Sequence, residues 1–254
     1  MPQTSAPTRY LADQQIAAYR RDGYLAVPGL IGPDRLADLR RATDEFVERS
    51  RRVDRSDDVF DLDPRHRAEA PVLRRIKNPA DNHPLYRWVA FESPIADVVA
   101  ELIGPDVRFH HSKLNLKGSH IGAPVEWHQD AAFYPHSNDD VLAVGLLLDD
   151  ATPENGCLQV IPRTHGKELH HFGQELQIEI DGELQAQTCY VPLQAGDTLL
   201  FHSLLLHASE PNTSAHDRRV VIFSYKTPGL KYIGKGTTPR DTIVVHDVRP
   251  AGYV

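Results

Sequence analysis

Sulfur is scarce in this chain, whose 254 residues include two cysteines and one methionine. Cys157 and Cys189 form no CxxC pair and build no disulfide framework, which excludes a thiolate zinc site and suits a reducing compartment. Long apolar runs are missing too. The longest, Val141 to Leu148, has eight residues and contains Gly145, far short of the roughly 20 that a membrane-spanning helix needs. Residues Met1 to Thr8 have neither the basic start nor the apolar core of a secretion signal, so a cytoplasmic location is expected. Basic charge is in deficit, with 28 Lys and Arg against 35 Asp and Glu. The net charge of −7 argues against a general nucleic-acid binder, because counterion release rewards surplus cations on one face. What is abundant is histidine, at 14 residues, so a transition metal bound here would be held by nitrogen and oxygen donors.

The N-terminal part reads as mostly helical. The pattern predicts a helix from Asp13 to Arg21 stopped by Gly23, a short strand from Tyr24 to Pro28, and a second helix from Pro33 to Arg51 with Leu36, Leu39, Phe46 and Val47 on one stripe. Ser93, Pro94 and Gly104 bracket a third, whose core face is Ile95, Val98, Val99 and Leu102. Arg52 to Arg67 reads as a charged loop. From Val107 the pattern changes to short strands: Val107 to Lys117, Val141 to Asp149, Leu158 to Ile161, Thr188 to Leu193, Thr198 to Phe201, Leu204 to Ser209 and Arg219 to Lys226. Their uneven spacing, without alternating helices, disfavours a parallel sheet. The predicted class is mainly β with flanking helices, a jelly roll. Residues 1–254 read as one domain, with helical support over about 9–104, a jelly-roll core over about 105–227 and a tail over 228–254.

The sequence holds one His-x-Asp, His128-Gln129-Asp130. Residues two apart on a strand face the same way, so this pair can offer a nitrogen and an oxygen to one ion. With 14 His and 23 Asp in 254 residues, chance supplies 14 × 23 / 254, or about one such pair, so context has to decide. The context is His207 in a downstream apolar strand and Arg218 eleven positions beyond it. Two histidines and one carboxylate leave three positions of an octahedral ion open, the facial triad of non-haem Fe(II) oxygenases. A 2-oxoacid can chelate at two of them and dioxygen can take the third, while a guanidinium grips the distal carboxylate. Arg219 competes with Arg218 for that task, and strand alternation lets only one point inward.

From about Gly104 to Lys226 the chain resembles the phytanoyl-CoA dioxygenase family of Fe(II)/2-oxoglutarate oxygenases. Ordered blocks carry the likeness: Trp127-His128-Gln129-Asp130 with Phe133-Tyr134-Pro135, then Glu154-Asn155-Gly156-Cys157-Leu158 through Ile161-Pro162 to His165, then Gly196-Asp197-Thr198 through His207 to Pro211-Asn212 and Arg218. The resemblance implies a cupin-like double-stranded β-helix. In it His128, Asp130 and His207 bind iron, and Arg218 and Ser209 bind the distal carboxylate of 2-oxoglutarate. It also implies cosubstrate contacts for Lys77, Lys113 and Asn115, and puts Leu146 where the family's founding member has a large aromatic near the cosubstrate.

The implied reaction consumes Fe(II)-bound 2-oxoglutarate and O2, hydroxylates an unactivated C–H bond of a small molecule, and releases succinate and CO2. Retention of Asp130 disfavours halogenation; desaturation, epoxidation and ring closure use the same triad. A cupin-like metal protein without oxygenase activity would keep the His and Asp but has no need of Arg218 and Ser209. Trp127, Gln129, Phe133 and Tyr134 flank the iron-binding segment and are candidate substrate contacts. Arg52 to Asn82, Ser119 to Glu126 and Arg163 to Gln187 are the expected covering loops.

Overall fold

Local chemistry sets the helix ends. Gly23 stops the first helix in the left-handed region, at φ 84°, with its N–H on the Tyr19 carbonyl. Pro33 opens the second, and the Ser93 hydroxyl caps the Ile95 N–H of another. A computed structural model of the chain describes residues 9–133, 141–173, 176–228 and 244–246. Its first part contains α1 (Asp13–Asp22), β1 (Tyr24–Val27), α2 (Pro33–Ser50), β2 (Phe60–Leu62), β3 (Leu73–Lys77), α3 (Pro79–Asn82), α4 (Pro84–Phe91) and α5 (Pro94–Ile103). Then follow β4 (Val107–Lys117), β5 (Val125–His128), β6 (Val141–Leu147), β7 (Leu158–Ile161), α6 (Gly182–Gln185), β8 (Cys189–Val191), β9 (Thr198–His202), β10 (Leu206–Ser209), β11 (Arg218–Lys226) and β12 (Val244–His246).

The strands form two antiparallel sheets, a jelly roll with helices on one side, as the pattern predicts. The larger runs β1-β9-β6-β11-β4-β3-β2, with β12 also on β4; the smaller runs β5-β10-β7-β8. Strand alternation divides the larger sheet's side chains between two cores. Leu142, Val144, Leu146, Val221, Phe223 and Tyr225 turn toward the helices and pack with Leu39, Phe46, Tyr86 and Val98. Ala143, Leu147, Leu199, Phe201, Val220 and Ile222 turn the other way, toward Val160 and Val191 of the smaller sheet. Each fully buried Leu, Val or Phe adds about 1.5–3 kcal/mol, so the two faces together hold the sheets in place. The site lies between them.

Several elements depart from the reading of the sequence. β2 and β3 lie where the pattern predicts a covering loop, because β3 (LRRIK) buries only Leu73 and Ile76 and its exposed arginines hide the alternation. β5 likewise falls partly in an expected loop. It ends at His128, and Asp130 opens a 3-10 turn through Phe133. The approach of Asp130 to His128 therefore comes from a strand-to-turn junction, not from a shared strand face. Leu146 belongs to the helix-side core, so it does not shape the cosubstrate cavity; Gly145 and Leu147 line that wall instead.

Candidate metal and cosubstrate site

The β5–β10 ladder brings the two histidines together, since His128 and His207 are register partners and their rings are 4.1 Å apart. Each ring is oriented by a carbonyl two residues upstream. The Nδ1–H of His128 donates to the Glu126 carbonyl at 2.8 Å, and that of His207 to the Leu205 carbonyl at 2.8 Å. This leaves both Nε2 lone pairs facing Asp130, whose Oδ1 is 3.8 Å from His128 Nε2. One ligand atom from each of the three residues lies within 4.8 Å of the others.

Protonation suits metal binding. Burial, then the neighbouring His207, pushes the His128 imidazole down to about 3, and burial also lowers His207, so both rings are neutral at pH 7. Burial alone would raise the Asp130 carboxyl, but the Lys113 ammonium at 3.7 Å outweighs it and holds the group well below the usual range. Asp130 is an anion.

Gln129 and Trp127 support these ligands from behind. The Gln129 side chain donates to the Lys167 and Leu204 carbonyls and accepts from the Leu169 N–H, fully buried. Trp127 packs beside Ile161, Ile178 and Leu206. Neither lines the cavity, which corrects their expected substrate contacts: alternation around His128 turns both away. Phe133 does line it, edge-on to His128 at 5.7 Å. Tyr134 lies outside the described residues.

A cavity of about 700 Å³ extends from the triad along the inner face of the larger sheet. Arg218, Ser209, Lys113 and Asn115 all line it. Lys77 does not. Its ammonium donates to the Asp57 carbonyl at 2.6 Å, outside the cavity, so its expected cosubstrate role is corrected as well. Alternation in β11 settles the choice between the two arginines. Arg218 points inward, buried, and its Nε has no hydrogen-bond partner among the described residues. Arg219 points outward and forms a two-pronged pair with Asp149 at 2.8 and 2.9 Å. Burial pushes the Arg218 guanidinium down to about 10, which still leaves it a cation at neutral pH.

Lys117, which the motifs do not single out, shares the inward face of β4 with Lys113 and Asn115. It is the register partner of Arg218, donates to the Ser209 and Glu210 carbonyls, and is pushed down to about 7 by burial and by Arg218. The alternation Lys113-x-Asn115-x-Lys117 was the available signal.

The donor set fits an iron-group ion and its cosubstrate. Two neutral imidazoles and one carboxylate converge with no fourth protein ligand among the described residues, and an orphaned buried arginine nitrogen faces the same cavity. A cupin-like jelly roll carrying this triad on its inner wall defines the class of mononuclear non-haem Fe(II)/2-oxoglutarate dioxygenases. A model of the phytanoyl-CoA dioxygenase (PhyH) family matches residues 19–220, and the chain belongs to that family. It is 27% identical over 226 residues to a probable alpha-ketoglutarate-dependent hypophosphite dioxygenase of Stutzerimonas stutzeri, covering 84% of this chain and 78% of that protein. It is also 27% identical over 238 residues to the L-proline trans-4-hydroxylase of Streptomyces griseoviridis, covering 82% and 83%. The crystal structure of EctD from S. alaskensis with 2-oxoglutarate and 5-hydroxyectoine superposes with a TM-score of 0.71 at 25% identity, over 87% of this chain and 78% of that one. The chain is thus an Fe(II)- and 2-oxoglutarate-dependent dioxygenase. No helix among the described residues is long and apolar enough to cross a membrane.

Proposed function

We propose that His128, Asp130 and His207 hold the iron, that Arg218 and Ser209 hold the distal carboxylate of 2-oxoglutarate, and that the enzyme hydroxylates an unactivated C–H bond of a small molecule. The observation that carries this reading is the buried, unpartnered Arg218 Nε on the cavity wall, set against a neighbouring Arg219 already engaged by Asp149. An inward guanidinium with no ion-paired carboxylate among the described residues has its natural partner in a ligand carboxylate.

Iron with 2-oxoglutarate and dioxygen supplies the oxidising power, with succinate and CO2 as products. The chain contributes position and environment. The Glu126 and Leu205 carbonyls fix the tautomers of the two imidazoles, and Lys113 keeps Asp130 ionised. Lys113, 3.7 Å from Asp130, and Asn115, next on the same face of β4, are our candidates for the cosubstrate's other end. Val220, Ile222, Leu199 and Phe201 supply an apolar wall that excludes water.

The relatives that act on proline and on hypophosphite support a small-molecule substrate, and the net charge of −7 speaks against nucleic acid. Free Cys157 and Cys189 accord with the cytoplasm. We take residues 1–254 as one oxygenase domain. Anaerobic addition of Fe(II) and 2-oxoglutarate tests the reading. A visible metal-to-ligand charge-transfer band is expected; its absence at saturating Fe(II) overturns it. Screening small molecules for stimulated succinate formation, with a product heavier by one oxygen atom, then separates hydroxylation from desaturation or ring closure.

A further inference from the structure

The triad and Arg218 account for only part of the cavity lining, and the chemistry of another stretch of wall is written in the strand register. Asp61, Arg75, Asn115 and Val220 are successive partners across β2, β3, β4 and β11, and all line the cavity. Arg75 Nε donates to Asn115 Oδ1 at 3.2 Å. That bond aims the planar head group and leaves its terminal N–H donors without a carboxylate among the described residues. The nearby acids do not take them. Arg65 grips both oxygens of Asp63 at 2.7 and 2.9 Å and holds its carboxyl down to about 2. Asp61 forms no ion pair with Arg75. The same cavity also has apolar lining from Ile121, Val125 and Phe133, and the last two are 45% and 42% exposed.

We propose that Arg75, aimed by Asn115, is a specificity-determining residue that anchors an anionic group of the prime substrate, a carboxylate or a phosphonate, while the substrate's apolar body lies against Ile121, Val125 and Phe133. This rests on the oxygenase reading, in which 2-oxoglutarate fills the inner end beside Arg218 and leaves the mouth to a second molecule. A planar guanidinium with uncommitted paired donors matches the two oxygens of such a group, and charge-assisted bonds of this kind are the strongest the mouth can offer.

The test uses enzyme loaded anaerobically with Fe(II) and saturating 2-oxoglutarate, titrated by calorimetry with phenylbutyrate, phenylpropylphosphonate and the neutral phenylbutyramide. At least one of the acids binds about tenfold more tightly than the amide, the worth of one good charge-assisted contact. Whichever of the two binds more tightly identifies the preferred anion. The preference disappears in Arg75→Gln, survives in part in Arg75→Lys, and persists in Lys77→Met, two positions along the same strand. The proposal is overturned if the amide matches both acids, if Arg75→Gln keeps the preference, or if none of the three compounds binds. Loss of 2-oxoglutarate binding by the unmutated enzyme would instead overturn the oxygenase reading.

Discussion

The two ends of the cavity sit on differently supported parts of the sheets. At the inner end His128, His207 and Arg218 are placed by ladder register, and the histidines are each pinned by a backbone carbonyl at 2.8 Å. At the mouth Arg75 is also set by register, opposite Asp61 and Asn115, but on β3, which with β2 forms a short-stranded edge of the larger sheet. Asp63 and Arg65 lie on the connection between these two strands, tied by exposed contacts such as the Arg65 bond to the Ile121 carbonyl at 2.9 Å. Reaction chemistry is thus tied to the rigid sheet, and recognition is left to segments that can vary without disturbing it.

If that contrast is real, damage at the inner end costs far more than damage at the mouth. His207→Ala removes a ligand that no neighbour can replace, and Fe(II) affinity should drop by more than about 100-fold, beyond what outer-sphere changes cost; metal titration of the purified variant checks it. Gly156→Ala attacks the same end from outside the cavity. Gly156 has φ 76°, and a Cβ there would sit 2.2 Å from the Glu210 carbonyl that accepts from Lys117. A loss of about 2–4 kcal/mol in urea unfolding is expected, from strain and clash together.

Lys117 gives a subtler signature. Its folded pKa of about 7 lies below the ordinary 10.5, so between these values the unfolded chain binds a proton that the folded chain does not. Stability should therefore rise as pH increases from about 7 to 9 and fall as pH is lowered again. Lys117→Met should flatten that slope in thermal melts across this range; an unchanged slope would show that the buried ammonium is not its source. The smallest effect belongs to the mouth. Arg65→Ala should leave Fe(II) binding at the wild-type level and the melting midpoint nearly unmoved, because its ion pair with Asp63 is solvent-screened. A large loss of metal affinity in this variant would erase the distinction between the ends.

The same contrast explains what could be read from the sequence. His207 and Arg218 lie on apolar strands, where burial makes the register strict, and the spacing from His207 favours Arg218 over Arg219; His128 is legible as part of the one His-x-Asp. Asp130 approaches His128 for a different local reason from the one its spacing suggests, since it lies on a turn past the strand. Gln129 and Trp127 do not line the cavity, because adjacency to a ligand in sequence says nothing about facing. Lys77 shares a sheet face with Lys113, yet lies far enough along β3 to bond Asp57 outside the cavity. β2, β3 and β5 were hidden because they are short and carry charge at exposed positions, so hydrophobic periodicity had little to act on. The wall that Arg75 occupies was hidden with them.

The central claim is that Arg218, and not its neighbour, receives the distal carboxylate of 2-oxoglutarate. Anaerobic titration of Fe(II)-loaded Arg218→Ala and Arg219→Ala with 2-oxoglutarate, followed by the charge-transfer band, tests it directly. Arg218→Ala should weaken binding about 100-fold, the worth of a buried two-pronged charged contact. Arg219→Ala should change it less than about threefold while costing about 1–2 kcal/mol of stability through loss of the Asp149 pair. Equal weakening by the two variants, or a larger effect at Arg219, would contradict the account.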